Sequence, residues 1–201
     1  MIPLFLLAAT SMSSPSPVDA ERAYAAMAQK VGQWTAFRKT AAPGAILFVP
    51  DPVPAADFLK DRKDPPVAVK WQPSESYVSC DGHTAANLGP WQRPTSVGYF
   101  TTVWTRGRDR WAWNVDFGNA VEKAMPEAPA KVPVRRASCR SAKPVLLPKL
   151  AAVEKSGSGS SKDHSLEWRW RVEKDGSRHI LVYLWNGRGY DTVIDRSIEP
   201  S

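Results

Sequence analysis

Cysteine and histidine are scarce in this chain of 201 residues, with two cysteines, Cys80 and Cys139, and three scattered histidines, His83, His164 and His179. There is no CxxC, no HExxH and no Cys/His cluster, so no metal site is expected. A glycine-rich phosphate loop and a GxSxG elbow are missing too, which leaves nucleotide binding and a nucleophilic serine without a motif. No apolar stretch reaches the ~18 residues that a membrane-crossing helix needs, so no membrane span is expected. No internal repeat is visible, and nothing points to a cofactor.

The two cysteines form an even set. In an oxidising compartment they would pair, whereas in a cytoplasm they would stay reduced. The start, MIPLFLLAATSMSSPSPVDA, has a short apolar run over residues 2–9, followed by small residues and prolines. Residues 1–19 therefore resemble the back half of a secretory signal, although a basic n-region is lacking. Export to the periplasm or medium is the expectation, with a disordered leader on a cytoplasmic protein as the alternative. A Cys80–Cys139 disulfide goes with export.

Positive charge exceeds negative by seven, yet it is unevenly placed. Residues 122–164 hold nine Lys/Arg against four Asp/Glu, which is +5 of the total +7. That stretch carries Pro126, Pro129, Pro133, Pro144 and Pro148 and ends in a Ser/Gly run over 156–161, so residues 121–164 read as an irregular, mobile basic linker. Such a loop gives salt-sensitive affinity for an anionic surface, and no specific nucleic-acid partner is expected.

Tryptophan, in contrast, is abundant, with nine in all. Two apolar-rich runs, 99–105 and 110–117, flank Arg106-Gly107-Arg108-Asp109 and predict an antiparallel hairpin. In regular register Trp104 lies opposite Trp111, Thr102 opposite Trp113 and Phe100 opposite Val115. With Phe117 these form one aromatic face. Val103, Thr101 and Tyr99 then oppose Ala112, Asn114 and Asp116 on the other face. A slab with three tryptophans needs cover. The apolar stripe of a helix over 20–40, capped by Asp19 and built from Tyr24, Met27, Val31, Trp34 and Phe37, would supply it. Regular alternation therefore turns Asp116 away from any cavity under that helix, and only a bulge near Asn114 would reverse it.

Short strands are expected at 45–49, 67–71, 75–80 and 84–88, with a short helix over 55–62 and a hairpin turn at Asp81-Gly82. A break falls at Gln72-Pro73 and a bend at Gly89-Pro90. Near the C-terminus Leu166, Trp168, Trp170 and Val172 alternate with charged residues, and 178–186 and 190–198 follow as strands. Residues 165–201 thus read as a β-meander packed on the main sheet.

Helices followed by successive antiparallel strands indicate an α+β fold, a curved antiparallel-rich sheet wrapped as a cone on the N-terminal helix. Trp34–Lys39 with Ala42-Pro43, Phe48-Val49-Pro50 with Pro52-Val53, Trp71-Gln72-Pro73, Asp81-Gly82, Ala85, Gly89-Pro90-Trp91, Gly98-Tyr99-Phe100, Val103-Trp104, and Trp111-Ala112-Trp113 with Asp116 and Gly118 occur in a characteristic order. In these residues the segment 20–120 resembles the nuclear transport factor 2-like superfamily, nearest its SnoaL-like, ketosteroid-isomerase-like branch of uncharacterised exported bacterial domains. The resemblance implies a helix packed in the concavity of a curved sheet and a pocket at the wide end.

That superfamily contains isomerases, cyclases, dehydratases and non-catalytic binders, so the fold does not choose among them. Asp116, Tyr77 and Tyr99 are the candidates for acid–base chemistry, and Asp81 reads as a turn residue. Trp34, Phe37, Trp91, Trp104 and Trp113 are candidates to line an apolar ligand site, or to form plain core. The expected function is an exported binding or accessory domain for an apolar small molecule, alone or as a homodimer. The alternative is a cofactor-independent isomerase or dehydratase.

Overall fold

The computed structural model describes residues 15–140 and 155–200. Helix α1 (Pro17–Val31) starts on a capping box, in which the Ser16 side chain accepts from the Asp19 amide and the Asp19 side chain accepts from the Ser16 amide. The cap is thus Ser16, and Asp19 is its partner. Gly32, at φ 102°, breaks the expected single helix, and α2 (Gln33–Thr40) begins beyond it. Asp64, from the connector, receives the Thr35 amide at 2.9 Å and the Thr35 hydroxyl at 2.6 Å, which serves a helix start without a cap side chain of its own. The remaining elements are β1 (Ala41–Phe48), β2 (Pro52–Pro54), α3 (Ala55–Leu59), β3 (Lys70–Trp71), β4 (Glu75–Val78), β5 (Thr84–Arg93), β6 (Ser96–Arg106), β7 (Trp111–Val121), β8 (Val134–Arg136), β9 (Lys155–Ser160), β10 (Leu166–Val172), β11 (Arg178–Trp185) and β12 (Tyr190–Ile198).

Eight strands form a mixed, largely antiparallel sheet in the order β2-β1-β7-β6-β5-β4-β8, with β3 paired to β5. Strands β12-β11-β10-β9 form a second, antiparallel sheet. The Asp81-Gly82 turn joins β4 to β5 as expected, with Gly82 at φ 70°. The strand expected over 84–88 does not stop at Gly89-Pro90 but continues as β5 to Arg93, paired with β6 throughout. Gly89 instead lets the irregular Gln72-Pro73 chain cross close above it, where a Cβ would lie 2.1 Å from the Gln72 carbonyl oxygen.

The large sheet buries both faces. One packs against the helices through Tyr24, Phe37, Trp71, Trp104, Trp111 and Trp113. The other packs against the second sheet through Phe48, Val103, Val115, Phe117, Trp170 and Ile180. Serving two cores explains how the β6–β7 register departs from regular alternation. Trp104 pairs with Trp113, Val103 with Val115, and Asn114 is the extra residue of a bulge between them. Trp111 and Trp113 thereby face the helices, while Val115 and Phe117 face the second sheet. Asp116, now opposite Thr102, faces the helices. The regular register, and with it the outward Asp116 and the placement of Phe117 beside the tryptophans, is corrected.

The Ser/Gly run is no mobile linker. It forms β9, with Gly159 opposite Trp168 and Gly157 opposite Trp170. A Cβ on Gly157 would come within 2.5 Å of the Trp170 indole, and one on Gly159 within 2.4 Å of the Trp168 ring, so the glycines are seats for the two rings. The helical turn expected within 146–153 lies outside the described residues. Basic side chains of this region make protein contacts: Arg135 pairs with Asp191, and Arg136 donates to the Ser79 and Cys80 carbonyls. Cys80 and Cys139 are joined as a disulfide, tying the chain beyond β8 to the β4–β5 turn. Among the described residues no helix is long and apolar enough to cross a membrane.

Candidate functional site

A cavity of about 140 Å³ lies between the helices and the large sheet. Its wall is mostly apolar, with the aromatics Trp34, Phe37, Phe48, Trp71, Trp91 and Phe100 beside Leu47, Val49 and Val69, and its polar residues are Gln33, Thr102, Asp116 and Arg93. Trp34 and Trp91 are half-buried and Arg93 is exposed, so the cavity reaches the surface on that side. Gly118 also lines it. A Cβ there would lie 2.5 Å from the Tyr99 carbonyl oxygen, so glycine is what allows the two strands to approach at this point.

Asp116 is the cavity's carboxylate, carried there by the Asn114 bulge. The residue is half-buried, with part of it accessible from the cavity. The Tyr24 hydroxyl donates to its Oδ2 at 3.3 Å. Burial pushes its pKa up to about 7, and the Tyr24 bond offsets only part of that rise. None of the salt bridges among the described residues involves it. Beside it Thr102 is buried with its hydroxyl unpartnered, and Thr102 in turn pairs across the sheet with Asn87, whose Oδ1 is also unpartnered.

A second carboxylate, Glu21, is fully buried one turn of α1 before Tyr24. It accepts from the Trp71 indole at 2.9 Å, the Trp104 indole at 2.6 Å and the Asn87 amide at 3.2 Å. Burial raises its pKa to about 7 against the lowering effect of those donors, and the Asp116 charge adds to the rise. Tyr24 sits between the two acids, packed on Trp71 at 4.9 Å and Phe37 at 5.0 Å between ring centroids. Its own pKa is raised well above the usual phenol range by burial first, then by the Asp116 and Glu21 charges.

Of the aromatic candidates, Trp34, Phe37 and Trp91 line the cavity. Trp104 and Trp113 do not; they are core, and their indoles donate to Glu21 and to the Thr40 hydroxyl. Tyr99 and Tyr77 lie on the opposite side of the sheet, in or against the second core. The Tyr99 hydroxyl donates to the Ser197 carbonyl at 2.8 Å, and that of Tyr77 to Glu75. Tyr99 thus faces away from the cavity, as regular alternation predicted, but lies opposite Asn119 and apart from Asp116, and Tyr77 shares its face, so neither candidate stands beside the cavity carboxylate. Asp81 accepts from the Ser79 hydroxyl and the His83 amide, as a turn residue does. Glu21 was missed, although a signal existed. It stands three residues before Tyr24 and seven before Ala28, on the apolar stripe of α1.

The cavity can enclose a small apolar body and offer it one carboxylate poised to gain or lose a proton near neutrality. Hydrogen-bond donors are few. Tyr24 is engaged with Asp116, and the Trp71 indole with Glu21, which leaves the Gln33 amide, the Thr102 hydroxyl and, at the rim, the Arg93 guanidinium among the described polar groups of the wall.

No family model and no curated protein matches the chain. Among solved structures it is similar to an NTF-2 like protein of unknown function from Shewanella oneidensis MR-1, with 18% identity and a TM-score of 0.40 over 51% of this chain and 98% of the other.

Proposed function

We propose that this chain is an exported small-molecule-binding domain of nuclear transport factor 2-like, SnoaL-like type. The leader expected over 1–19 ends before the Ser16–Asp19 cap of α1, 20–120 carry the cone and its cavity, β8 within 121–164 adds to that sheet, and β9 joins the meander of 165–201 on the far face of the sheet. The order of the residues that carry the family resemblance supports the fold assignment. A Cys80–Cys139 disulfide is compatible with an oxidising compartment. The observation that carries the binding function is the aromatic-walled cavity with Asp116 inside it. The volume suits a molecule about the size of benzene.

A second function has one feature in its favour, namely that burial pushes the Asp116 carboxyl up to about 7, into the range where an acid–base catalyst works best. An isomerase or dehydratase of apolar substrates would use it as the base. Such chemistry also needs strong donors where charge develops, and here the nearest phenol is spent on Asp116 itself. Binding is therefore preferred.

Native mass spectrometry of protein purified from its own host tests the binding function and reports the oligomeric state, including the proposed homodimer. A small adduct on the wild type that is lost or weakened in Asp116→Asn is expected. An adduct retained unchanged by Asp116→Asn and by substitution of Trp34 would place the ligand elsewhere and contradict the proposal.

A further inference from the structure

We infer that the cavity selects a small organic cation, an alkyl- or quaternary ammonium group. This inference rests on the cavity being a ligand site, and three independent features of it point to positive charge. Most of the apolar wall is aromatic, with Trp34, Phe37, Trp71, Trp91 and Phe100 around a space of about 140 Å³. Aromatic faces attract ammonium ions, most strongly where water is excluded. Protein cations already sit by the two half-buried tryptophans on its open side, one of them the wall residue Arg93. Arg62 has its guanidinium carbon 5.9 Å from the Trp34 ring centroid, and Arg93 lies 5.5 Å from that of Trp91.

The third feature is charge balance. Asp116 enters the cavity, and Glu21 lies behind it in the same core. The charged and titratable groups that face Asp116 are Glu21 and Tyr24 from α1 and, at the rim, Arg93 from β5. Tyr24 contributes a neutral hydroxyl. Arg93 is exposed and over Trp91, and it does not pair with Asp116 among the described salt bridges. A buried carboxylate without a cation is costly, and an ammonium ligand beside it would remove that cost. A neutral apolar ligand would leave the carboxylate as it is, and an anionic one would meet repulsion. A cation satisfies both the walls and the ionised acid.

Choline and its uncharged carbon isostere, 3,3-dimethylbutan-1-ol, separate charge from shape. Each is titrated by calorimetry and by amide and indole NMR into the wild type and Asp116→Asn, at pH 5.5 and 8.5. Choline is expected to bind at least about tenfold more tightly than the isostere at pH 8.5, with shifts at the Trp34 and Trp91 indoles. That advantage should shrink at pH 5.5, where Asp116 takes up its proton, and vanish in Asp116→Asn. Equal or tighter binding of the isostere at these indoles would overturn the cation inference and leave the cavity as a ligand site. A choline preference that survives in Asp116→Asn would likewise overturn it. Silence of both indoles toward both probes would overturn the ligand site as well.

Discussion

Asp116 and Glu21 are acids held where water does not reach freely, and each has its pKa raised to about 7 by burial. In the unfolded chain both should titrate near 4. Between those values the folded protein keeps protons that the unfolded chain has released. The stabilisation from each group is therefore complete below about pH 4 and is lost as the pH rises through about 7. Each withdraws on the order of 3 kcal/mol over that span. Asp116→Asn removes one such loss and retains an acceptor for the Tyr24 hydroxyl. It is expected to be the more stable protein at pH 8, by on the order of 2 kcal/mol, and to show a flatter stability curve. Urea unfolding from pH 4 to pH 8 measures this. A variant less stable than the wild type at pH 8 would mean that the carboxylate is paired, not stranded.

At the scale of elements, most strands were legible because alternation is local, whereas the helical start lay three residues before the expected one, with Asp19 as the partner of the Ser16 cap. The turn at Asp81-Gly82 and the strands of 166–198 follow from the residues that bound them. Two features were not legible, for a shared reason. The Asn114 bulge exists because Trp113 must serve one core while Val115 and Phe117 serve another, and a single alternating segment cannot show two cores. Strand β9 exists because Trp168 and Trp170 lie over its glycines, so its stability comes from a partner strand and not from its own composition. Gly157→Val tests this directly. Despite its better strand propensity, it is expected to destabilise by about 1–3 kcal/mol, since its side chain would collide with the Trp170 ring. Thermal unfolding with Trp fluorescence reads the effect, and an unchanged or raised midpoint would contradict the seat.

For the whole molecule, the large sheet is the shared wall of two cores, one under the helices and one under the second sheet. The disulfide fastens the chain that links them, across a separation of 59 residues. In the chain-entropy account such a loop stabilises by about 4 kcal/mol. Cys139→Ser should therefore lower the stability of the oxidised protein by about that amount, and a reductant should do the same to the wild type and nothing to the variant. Equal stability of oxidised wild type and variant would show that the bridge is not formed in solution. The position of this bridge was within reach of the sequence, since two cysteines allow one pairing. The depth of the second core was not, because it is made of contacts between segments far apart in the chain.

The account turns on one residue facing one way, and the most direct measurement is a carbon-detected NMR titration of the Asp116 carboxyl, with Asp116→Asn to assign the signal and separate it from Glu21. Asp116 inside the cavity beside Tyr24 predicts a midpoint near 7. A midpoint in the ordinary aspartate range near 4 would place the carboxylate in water. The burial of Asp116 at the polar end of the cavity, beside Tyr24, would then be contradicted.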